Sequence, residues 1–214
     1  MRVTGVLCAV AVAAALTGCA GKYGQRVPDA MVSKLPFEAR IELLESENEL
    51  ALAVDRRDEA QNEILRTREA LRRAKSRRDD AKAEVKRAKD APSLEVADLA
   101  LAEADARLHF LRARQKVNVA VADVEALALR CALARFELSR LSAARKAKVE
   151  GSEKLDPLEF EAQAKACEAD VVARRAKVKE GRAAEAEAAR AQWETHKNAL
   201  AKKTFDARAS PWVE

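Results

Sequence analysis

The chain has 214 residues, of which 49% are hydrophobic, 35% are charged and 4% are aromatic. Ala, Glu, Lys, Arg and Leu dominate, a composition typical of long helices and coiled coils, in which small aliphatic side chains fill a narrow seam. So few large apolar residues argue against the wide core of an enzyme. The formal net charge of +5 is only a small excess of basic over acidic residues.

The N-terminus has the pattern of an export signal. Arg2 precedes an apolar run from Val6 to Leu16, which is too short for a membrane span of about 20 residues. The next residues complete the sequence Leu16, Thr17, Gly18 and Cys19. These four residues resemble the lipobox of bacterial lipoproteins, in which the signal is removed before the cysteine and the thiol is acylated. The resemblance implies a signal peptide over residues 1–18 and a lipid on Cys19, and an ordinary signal peptide cut nearby is the alternative.

The same resemblance implies a location and a class of partner. Ala20 follows the cysteine where inner-membrane lipoproteins tend to carry Asp, so the periplasmic face of the outer membrane is expected and the inner membrane is less favoured. Export also separates the chain from nucleic acid. The expected partners are therefore the membrane, through the lipid anchor, and an envelope protein or the cell wall.

Residues 19–36 contain Gly21, Gly24, Pro28 and Pro36 without a sustained apolar period, which predicts a flexible tether. A first helix is predicted over 37–90. Spacings of three and four residues along it form an interrupted heptad seam. Its members are Leu43, Ser46, Leu50, Ala53, Arg57, Ala60, Ile64, Thr67, Leu71, Ala74, Arg78, Ala81, Val85 and Ala88.

Pro92 is expected to end that helix and Ser93 to cap a second one over 93–149. This helix is the most apolar of the three and has two stripes, which predict two partner helices. One stripe contains Phe110, Ala113, Val117, Ala120, Val124, Leu127, Cys131, Ala134, Leu138 and Leu141. The other contains Leu94, Leu101, Leu108, Leu111, Leu129 and Phe136.

A third helix is predicted over 157–205, after a left-handed cap at Gly151. Asp156, Pro157 and Glu159 have the pattern of an N-cap, a first-turn proline and a reciprocal capping glutamate. The seam is Ala-rich and buries less apolar surface; it contains Phe160, Ala164, Cys167, Val171, Val178 and Gly181. Trp193 is expected to pack against the other helices. Trp212 lies in the tail 206–214, which either folds back or binds a partner.

Short connections between such long helices force neighbours to be antiparallel. The sequence therefore predicts an all-α fold, an elongated antiparallel three-helix coiled coil running up, down and up over 37–205. Charge supports this arrangement, because residues 38–59 hold eight acids against three bases. The end of the second helix that would lie beside them is basic, with Arg140, Arg145, Lys146 and Lys148, and this basic cluster is also a candidate contact for an anionic membrane surface.

No pattern in the chain indicates catalysis. His109 and His196 lack a second ligand at helical spacing, so a metal site is not expected. The carboxylates fall on predicted solvent faces, where they are ordinary solvated charges. We therefore expect no enzyme activity and no cofactor apart from the lipid on Cys19.

Two cysteines remain after the signal and the lipid are accounted for, Cys131 and Cys167. A hairpin centred near residue 153 would place them about eight residues out of register, or roughly 12 Å, too far for a disulfide. Both also lie on apolar stripes, where a buried thiol is an ordinary occupant. The sequence therefore favours unpaired thiols, and pairing stays open.

Two roles fit these expectations: a structural or spacer lipoprotein, or a docking component of a trans-envelope exporter, efflux or motility complex. Residues 120–190 resemble the helical hairpin of periplasmic adaptor proteins, with Leu138, Arg140 and Leu141 before the turn. The chain departs from that family because the spacing of Arg, Leu and Ser at the hairpin tip is not reproduced. It also has no strand-like segments for the β-rich domains that flank such hairpins.

Overall fold

The computed structural model describes residues 23–205, which form helices joined by short connections and contain no strand. The helices are α1 (Asp29–Val32), α2 (Phe37–Arg87), α3 (Ala91–Lys146), α4 (Pro157–Lys177) and α5 (Ala184–Thr204). A 3₁₀ turn (Ser152–Lys154) precedes α4, and a π-helical turn (Val178–Ala183) joins α4 to α5. An all-helical chain of long packed helices is thus confirmed within this range. The signal peptide, the lipobox and the tail with Trp212 lie outside it.

The chain divides into two compact units. Among the described residues, unit 1 contains 23–55 and 126–172, and unit 2 contains 56–125 and 173–205. The helices α2, α3 and α4 each contribute residues to both units. The packing of each unit is described separately below.

The predicted seams are the buried faces of α2 and α3. Thirteen of the fourteen seam positions lie in α2 and the last, Ala88, follows it directly; all fourteen, and all ten positions of the first α3 stripe, are buried or half-buried. Of the second α3 stripe only Leu94 is exposed. The three-to-four spacing of small apolar residues therefore identified the contact faces of both helices.

Unit 1 has two apolar clusters. In the first, Leu35, Ala39 and Leu43 pack against the end of α3 at Ala143, Ala144 and Val149. In the second, Val27 packs with Leu141 and Phe160.

Ion pairs show the direction of the helices in unit 1. Glu42 pairs with Lys146 at 2.5 Å and Glu49 lies 3.7 Å from Arg135, so α2 and α3 run in opposite directions. Arg135 also lies 3.4 Å from Glu168 of α4. This part of α3 therefore contacts two partner helices, as its two stripes predict.

Unit 2 shows the same pairing of segments. Leu71 and Ala74 of α2 pack against Leu108 and Leu111 of α3. A charge contact also joins the two helices there, because Nε of Arg78 lies 2.7 Å from Oδ1 of Asp105. Two salt bridges join α3 to α5: Lys116–Glu185 at 3.0 Å and Glu95–Lys203 at 2.6 Å.

The cap of α3 differs from the expectation. The N-cap is Asp90, whose Oδ1 accepts the backbone N–H of Ser93 at 2.8 Å, while the Ser93 hydroxyl donates to the Asp90 carbonyl. Pro92 is accommodated in the first turn of α3, where a missing N–H costs nothing, so the cap moves three residues upstream. The hydrogen bond from the Ser93 backbone lowers the pKa of the Asp90 carboxyl below its usual value.

The start of α4 agrees only in part. Asp156 Oδ1 accepts the N–H of Leu158 at 2.9 Å, which confirms the predicted cap before Pro157. Glu159 does not reach back to the cap; its carboxylate accepts a hydrogen bond from Gln25 at 2.8 Å. The capping box is incomplete because a residue from the N-terminus uses the glutamate.

The predicted seam through Gly181 is wrong. Gly181 is exposed and lies in the π-helical turn, and the buried positions that follow are Ala189, Trp193 and Leu200. A strict heptad continued from Val171 would place seam residues at 188, 192 and 199. Each of these positions is one residue before the buried residue that the structure shows, 189, 193 and 200. The π turn takes up one additional residue, and the three-to-four spacing resumes after it.

The connection 147–156 ends α3 in a Schellman motif. The N–H of Val149 donates to the Ala144 carbonyl at 2.9 Å, and the N–H of Lys148 donates to the Arg145 carbonyl at 3.0 Å. The left-handed residue of this motif is Lys148 (φ 54°), not Gly151 as expected, although Gly151 also has a left-handed φ of 88° and begins the 3₁₀ turn. A residue with a Cβ therefore occupies the position where glycine is usual.

Replacing Lys148 by Gly is expected to stabilise the protein by about 0.5–1 kcal/mol, because glycine removes the steric cost of the left-handed conformation. Thermal or urea unfolding followed by circular dichroism measures the change. The matched control is Lys148→Ala, which removes the same charge but keeps the Cβ. Equal effects of the two substitutions would show that the charge, not the backbone conformation, matters at this position.

Candidate functional site

The N-terminal segment, residues 23–36, is packed against the helices of unit 1, of which it is part. Val27 is 2% exposed and Leu35 is 3% exposed. The Tyr23 hydroxyl donates to Asp170 of α4 at 2.5 Å. The prediction of a flexible tether over 19–36 is therefore wrong for these residues, because their apolar side chains find a place against α2, α3 and α4.

A signal for this docking is present in the sequence. Val27, Met31 and Leu35 are four residues apart, a spacing that places them on one face of a helical turn. Only Asp29–Val32 becomes helical, yet Met31 and Val32 pack against both apolar clusters of unit 1. Prolines at both ends of this stretch obscure the period.

A buried carboxylate on α3 holds the segment. Glu137 is 7% exposed, and its Oε2 accepts the backbone N–H of Val27 at 2.8 Å. Its Oε1 accepts a hydrogen bond from Arg140 at 2.9 Å, and the same guanidinium donates to Asp29 at 2.7 Å. Both oxygens of Glu137 thus accept a hydrogen bond, as a buried carboxylate requires, whereas Nε of Arg140 is buried without a partner.

Arg140 was predicted as part of a basic cluster that contacts an anionic surface, but its side chain contacts the N-terminal segment instead. Arg140 faces the N-terminal segment, with its guanidinium carbon 5.5 Å from the Phe136 ring centroid and its side chain 13% exposed. Partial burial lowers the pKa of this guanidinium, but hydrogen bonds and charges from Asp29 and Glu137 outweigh it and raise the pKa above its usual value. Arg140 therefore stays charged as part of the docking contact.

The other three members of the cluster are exposed at the end of α3 and in the turn. Lys146 pairs with Glu42, and Nε of Arg145 donates to the Ser152 carbonyl at 3.3 Å. Lys148 is exposed in its left-handed conformation. The cationic surface at the turn is therefore made by Arg145, Lys146 and Lys148 without Arg140.

Cys131 of α3 and Cys167 of α4 form a disulfide, with 5.4 Å between their α-carbons. The expectation of unpaired thiols, based on a hairpin centred near residue 153, is wrong. Helix α3 ends at Lys146, and the connection 147–156 turns back through two left-handed residues before α4 begins, so the midpoint of the pair lies at residue 149. The bond joins cysteines 36 residues apart. Because it reduces the entropy of the unfolded chain, it stabilises the folded state by about 3–4 kcal/mol.

Unit 2 contains a second buried carboxylate that the sequence did not reveal. Glu103 is 1% exposed, and its Oε1 accepts the indole N–H of Trp193 at 2.7 Å. Trp193 also stacks on Phe110 with 5.6 Å between ring centroids, and Arg107 lies 4.9 Å from the Trp193 ring centroid. The prediction that Trp193 packs is confirmed, whereas the prediction that the carboxylates are solvated is wrong for Glu103 and Glu137.

Two grooves of about 310 Å³ lie on the described surface, and both are open to solvent. One is in unit 2 between α2 and α3, lined by Glu59, Glu63 and Asn118 among others. Asn118 in this groove donates to the Thr67 hydroxyl at 2.7 Å, so its amide serves to join the two helices. The other groove is in unit 1 and is lined by Glu42, Glu45 and Glu49 of α2 and by Arg135 of α3, among others.

Within residues 23–205, no group of three or more His, Cys, Asp or Glu side chains is placed to hold a metal ion. His109 is exposed and His196 is half-buried. No helix in the same range is both long and apolar enough to cross a membrane.

Comparison with known proteins finds no family, no curated protein and no solved structure that matches this chain.

Replacing Arg140 by Met is expected to weaken the docking of the N-terminal segment by about 1.5–3 kcal/mol, because Glu137 and Asp29 lose a charged donor. Limited trypsin digestion should then cut faster at Arg26 and Lys34. Arg130→Met, at an exposed position of the same helix, is the control and should not change the rate. Unchanged cleavage in Arg140→Met would mean that apolar contacts alone hold the segment.

Replacing Trp193 by Phe is expected to cost about 1–3 kcal/mol, because the buried Glu103 carboxylate loses the indole donor. Urea unfolding measures the loss. Adding Glu103→Met to Trp193→Phe should restore most of the stability, since the apolar pair leaves no buried acceptor unpaired. A double variant as unstable as the single one would contradict the importance of this hydrogen bond.

Proposed function

We propose that this protein is a non-catalytic lipoprotein of the bacterial envelope, held by a lipid on Cys19, with a structural or spacer role in the periplasm. Its body is proposed to be an antiparallel three-helix coiled coil. The observation that carries the proposal is the lipobox pattern directly after an apolar run, ahead of a chain made of long helices. Outer-membrane placement rests on Ala20 alone.

The disulfide supports export of the chain. Disulfides persist in oxidising compartments such as the bacterial periplasm and are rare in the cytosol. The bond between Cys131 and Cys167 is compatible with the helices on both sides, since neither helix is interrupted at the cysteines. A folded protein with a buried structural disulfide is thus suited to the compartment that the signal indicates.

The docked segment gives the anchor a short reach. Tyr23 is already bound at Asp170, so only three residues separate it from Cys19, and four Cα-to-Cα steps span at most about 14 Å. A tether of residues 19–36 would have reached roughly 55 Å. An acylated Cys19 would therefore keep unit 1 close to the membrane surface, which favours a body that spaces or organises over one that searches for a distant partner.

The exposed cations at the turn supply a second contact in this proposal. Arg145, Lys146 and Lys148 lie at the end of α3, about 20 Å along α4 from the point where Tyr23 meets Asp170. Anionic head groups would attract them by roughly 1 kcal/mol for each cation. Reversing these charges should reduce flotation of the unacylated protein with anionic vesicles, and unchanged flotation would remove this part of the proposal.

A docking component of a trans-envelope complex is the second candidate. It is favoured by the large apolar side chains that α2 exposes, among them Phe37 and Leu52. Crosslinking in cells from positions near Ser93 and Trp212, followed by mass spectrometry, separates the two roles. One stoichiometric envelope complex favours docking, whereas recovery of the chain itself or of wall material favours the spacer.

Replacing Cys19 by Ser is expected to abolish labelling of the protein by radioactive palmitate, because the acylated thiol is lost. The precursor should also keep residues 1–18 and migrate more slowly on a gel. The control is the pair Cys131→Ser and Cys167→Ser, which should keep the label. Labelling of the Cys19→Ser protein, or a wild-type protein that carries no lipid, would exclude the proposed anchor.

A further inference from the structure

Helix α2 has a second apolar stripe on the side opposite its seam. We call the residues Phe37, Ile41, Leu44, Asn48 and Leu52 the outer stripe, and all five are exposed. Phe37 is 72% exposed, Ile41 49%, Leu44 52% and Leu52 55%. Seam residues such as Ala39 and Leu43 point into unit 1, so the outer stripe is a face that the described chain does not cover.

The spacing of the outer stripe is that of a coiled-coil contact. Steps of four, three and four residues join Phe37, Ile41, Leu44 and Asn48, which corresponds to heptad positions d, a, d and a. A β-branched residue at a with Leu at d favours two strands, and a single Asn at a fixes the register. The stripe thus carries residues that select both the number of helices and their alignment.

From this pattern we infer that α2 pairs in parallel, over residues 37–52, with the same segment of a second copy of this chain. In the parallel register Asn48 lies opposite Asn48 of the other copy, where the two amides bond to each other. In an antiparallel pair position a meets position d, so Asn48 would face Leu44 or Ala51 and remain unsatisfied.

One complementary charge pair fits pairing with a copy. Arg40 occupies position g and Glu45 occupies position e, so Arg40 of each chain meets Glu45 of the other in a parallel pair. Arg40 is already oriented by donating to the carbonyls of Leu35 and Ser33 at 3.0 and 2.9 Å, and three of its five N–H donors remain. Glu38 and Glu45 on one side of the stripe and Glu47 on the other disfavour an anionic membrane as the occupant.

The contact is small: Phe37, Ile41 and Leu44 of each chain occupy a and d positions and Leu52 lies beside them at e, so it falls at the weak end of protein interfaces. It therefore needs a high local concentration, which two copies anchored in one membrane would have; this step rests on the proposed function. Anchoring through residue 19 also places both N-termini on the same side, as a parallel pair requires. The stripe adjoins the N-terminal segment, so the pairing begins next to the anchor.

Cysteine crosslinking of the full chain in its own membranes tests the pairing. Asn48→Cys should give a covalent homodimer under mild oxidation, whereas Lys165→Cys, exposed on α4 of the same unit, should give little. Adding Ile41→Glu to Asn48→Cys should reduce the dimer at least about tenfold, because a charge is then buried at the contact. The matched control is Leu65→Glu, because Leu65 lies on the same helix outside residues 37–52 and is 54% exposed. Adding it to Asn48→Cys should leave the amount of dimer unchanged.

Sedimentation equilibrium of residues 20–214, produced without the signal segment and without Cys19, separates this inference from the lipid anchor. Dimers that appear at high concentration and weaken with Asn48→Asp, which places two carboxylates together, support the pairing even if Cys19 carries no lipid. Circular dichroism checks that each variant is folded. If Ile41→Glu does not fold, Asn48→Asp serves as the variant that disrupts the contact. The pairing is overturned by a monomer in both experiments, by dimers that persist with Ile41→Glu, or by an Asn48→Cys crosslink to a different protein.

Discussion

The register that the connection 147–156 imposes on α3 and α4 is the constraint on which unit 1 depends. The Schellman motif at Lys148 ends α3 early and returns the chain beside it. This offset places Cys131 opposite Cys167 and Leu141 against Phe160. It also leaves Glu137 able to hold the N-terminal segment. A connection of the same length with a symmetric turn would separate the two sulfurs, so the disulfide and the docking site share one cause.

Each unit combines an Ala-rich apolar contact with a buried carboxylate, and the two kinds of interaction have different consequences. Small side chains allow helices to approach closely but hardly distinguish one alignment from the next, because a shift replaces alanine by alanine. Glu137 with Val27, and Glu103 with Trp193, are satisfied in one alignment only. A slip would leave a buried charge unpaired, at a cost that apolar contacts do not impose. In this fold the polar contacts are therefore the source of specificity.

Periodicity predicted much of the fold, because a seam that recurs over many turns averages out local exceptions. The fourteen residues of the first predicted seam are an example. It failed where one residue decides the outcome: the π turn at Gly181 shifts the later seam, and the left-handed Lys148 changes the register that governs the cysteines. The buried Glu103 and Glu137 escaped for a different reason, since a carboxylate buried by a partner distant in sequence has no local signature. The docking of Val27 and Leu35 was hidden by flanking prolines.

The covalent link between α3 and α4 also limits how far the chain can be drawn out under tension. The loop between Cys131 and Cys167 would contribute roughly 120 Å to a fully extended chain, and the bond withholds this length from a force applied at the ends. Under a force applied at the two ends of the chain, the oxidised protein would extend less than the reduced one. The maximum length of the extended chain would then depend on whether the compartment keeps this disulfide oxidised.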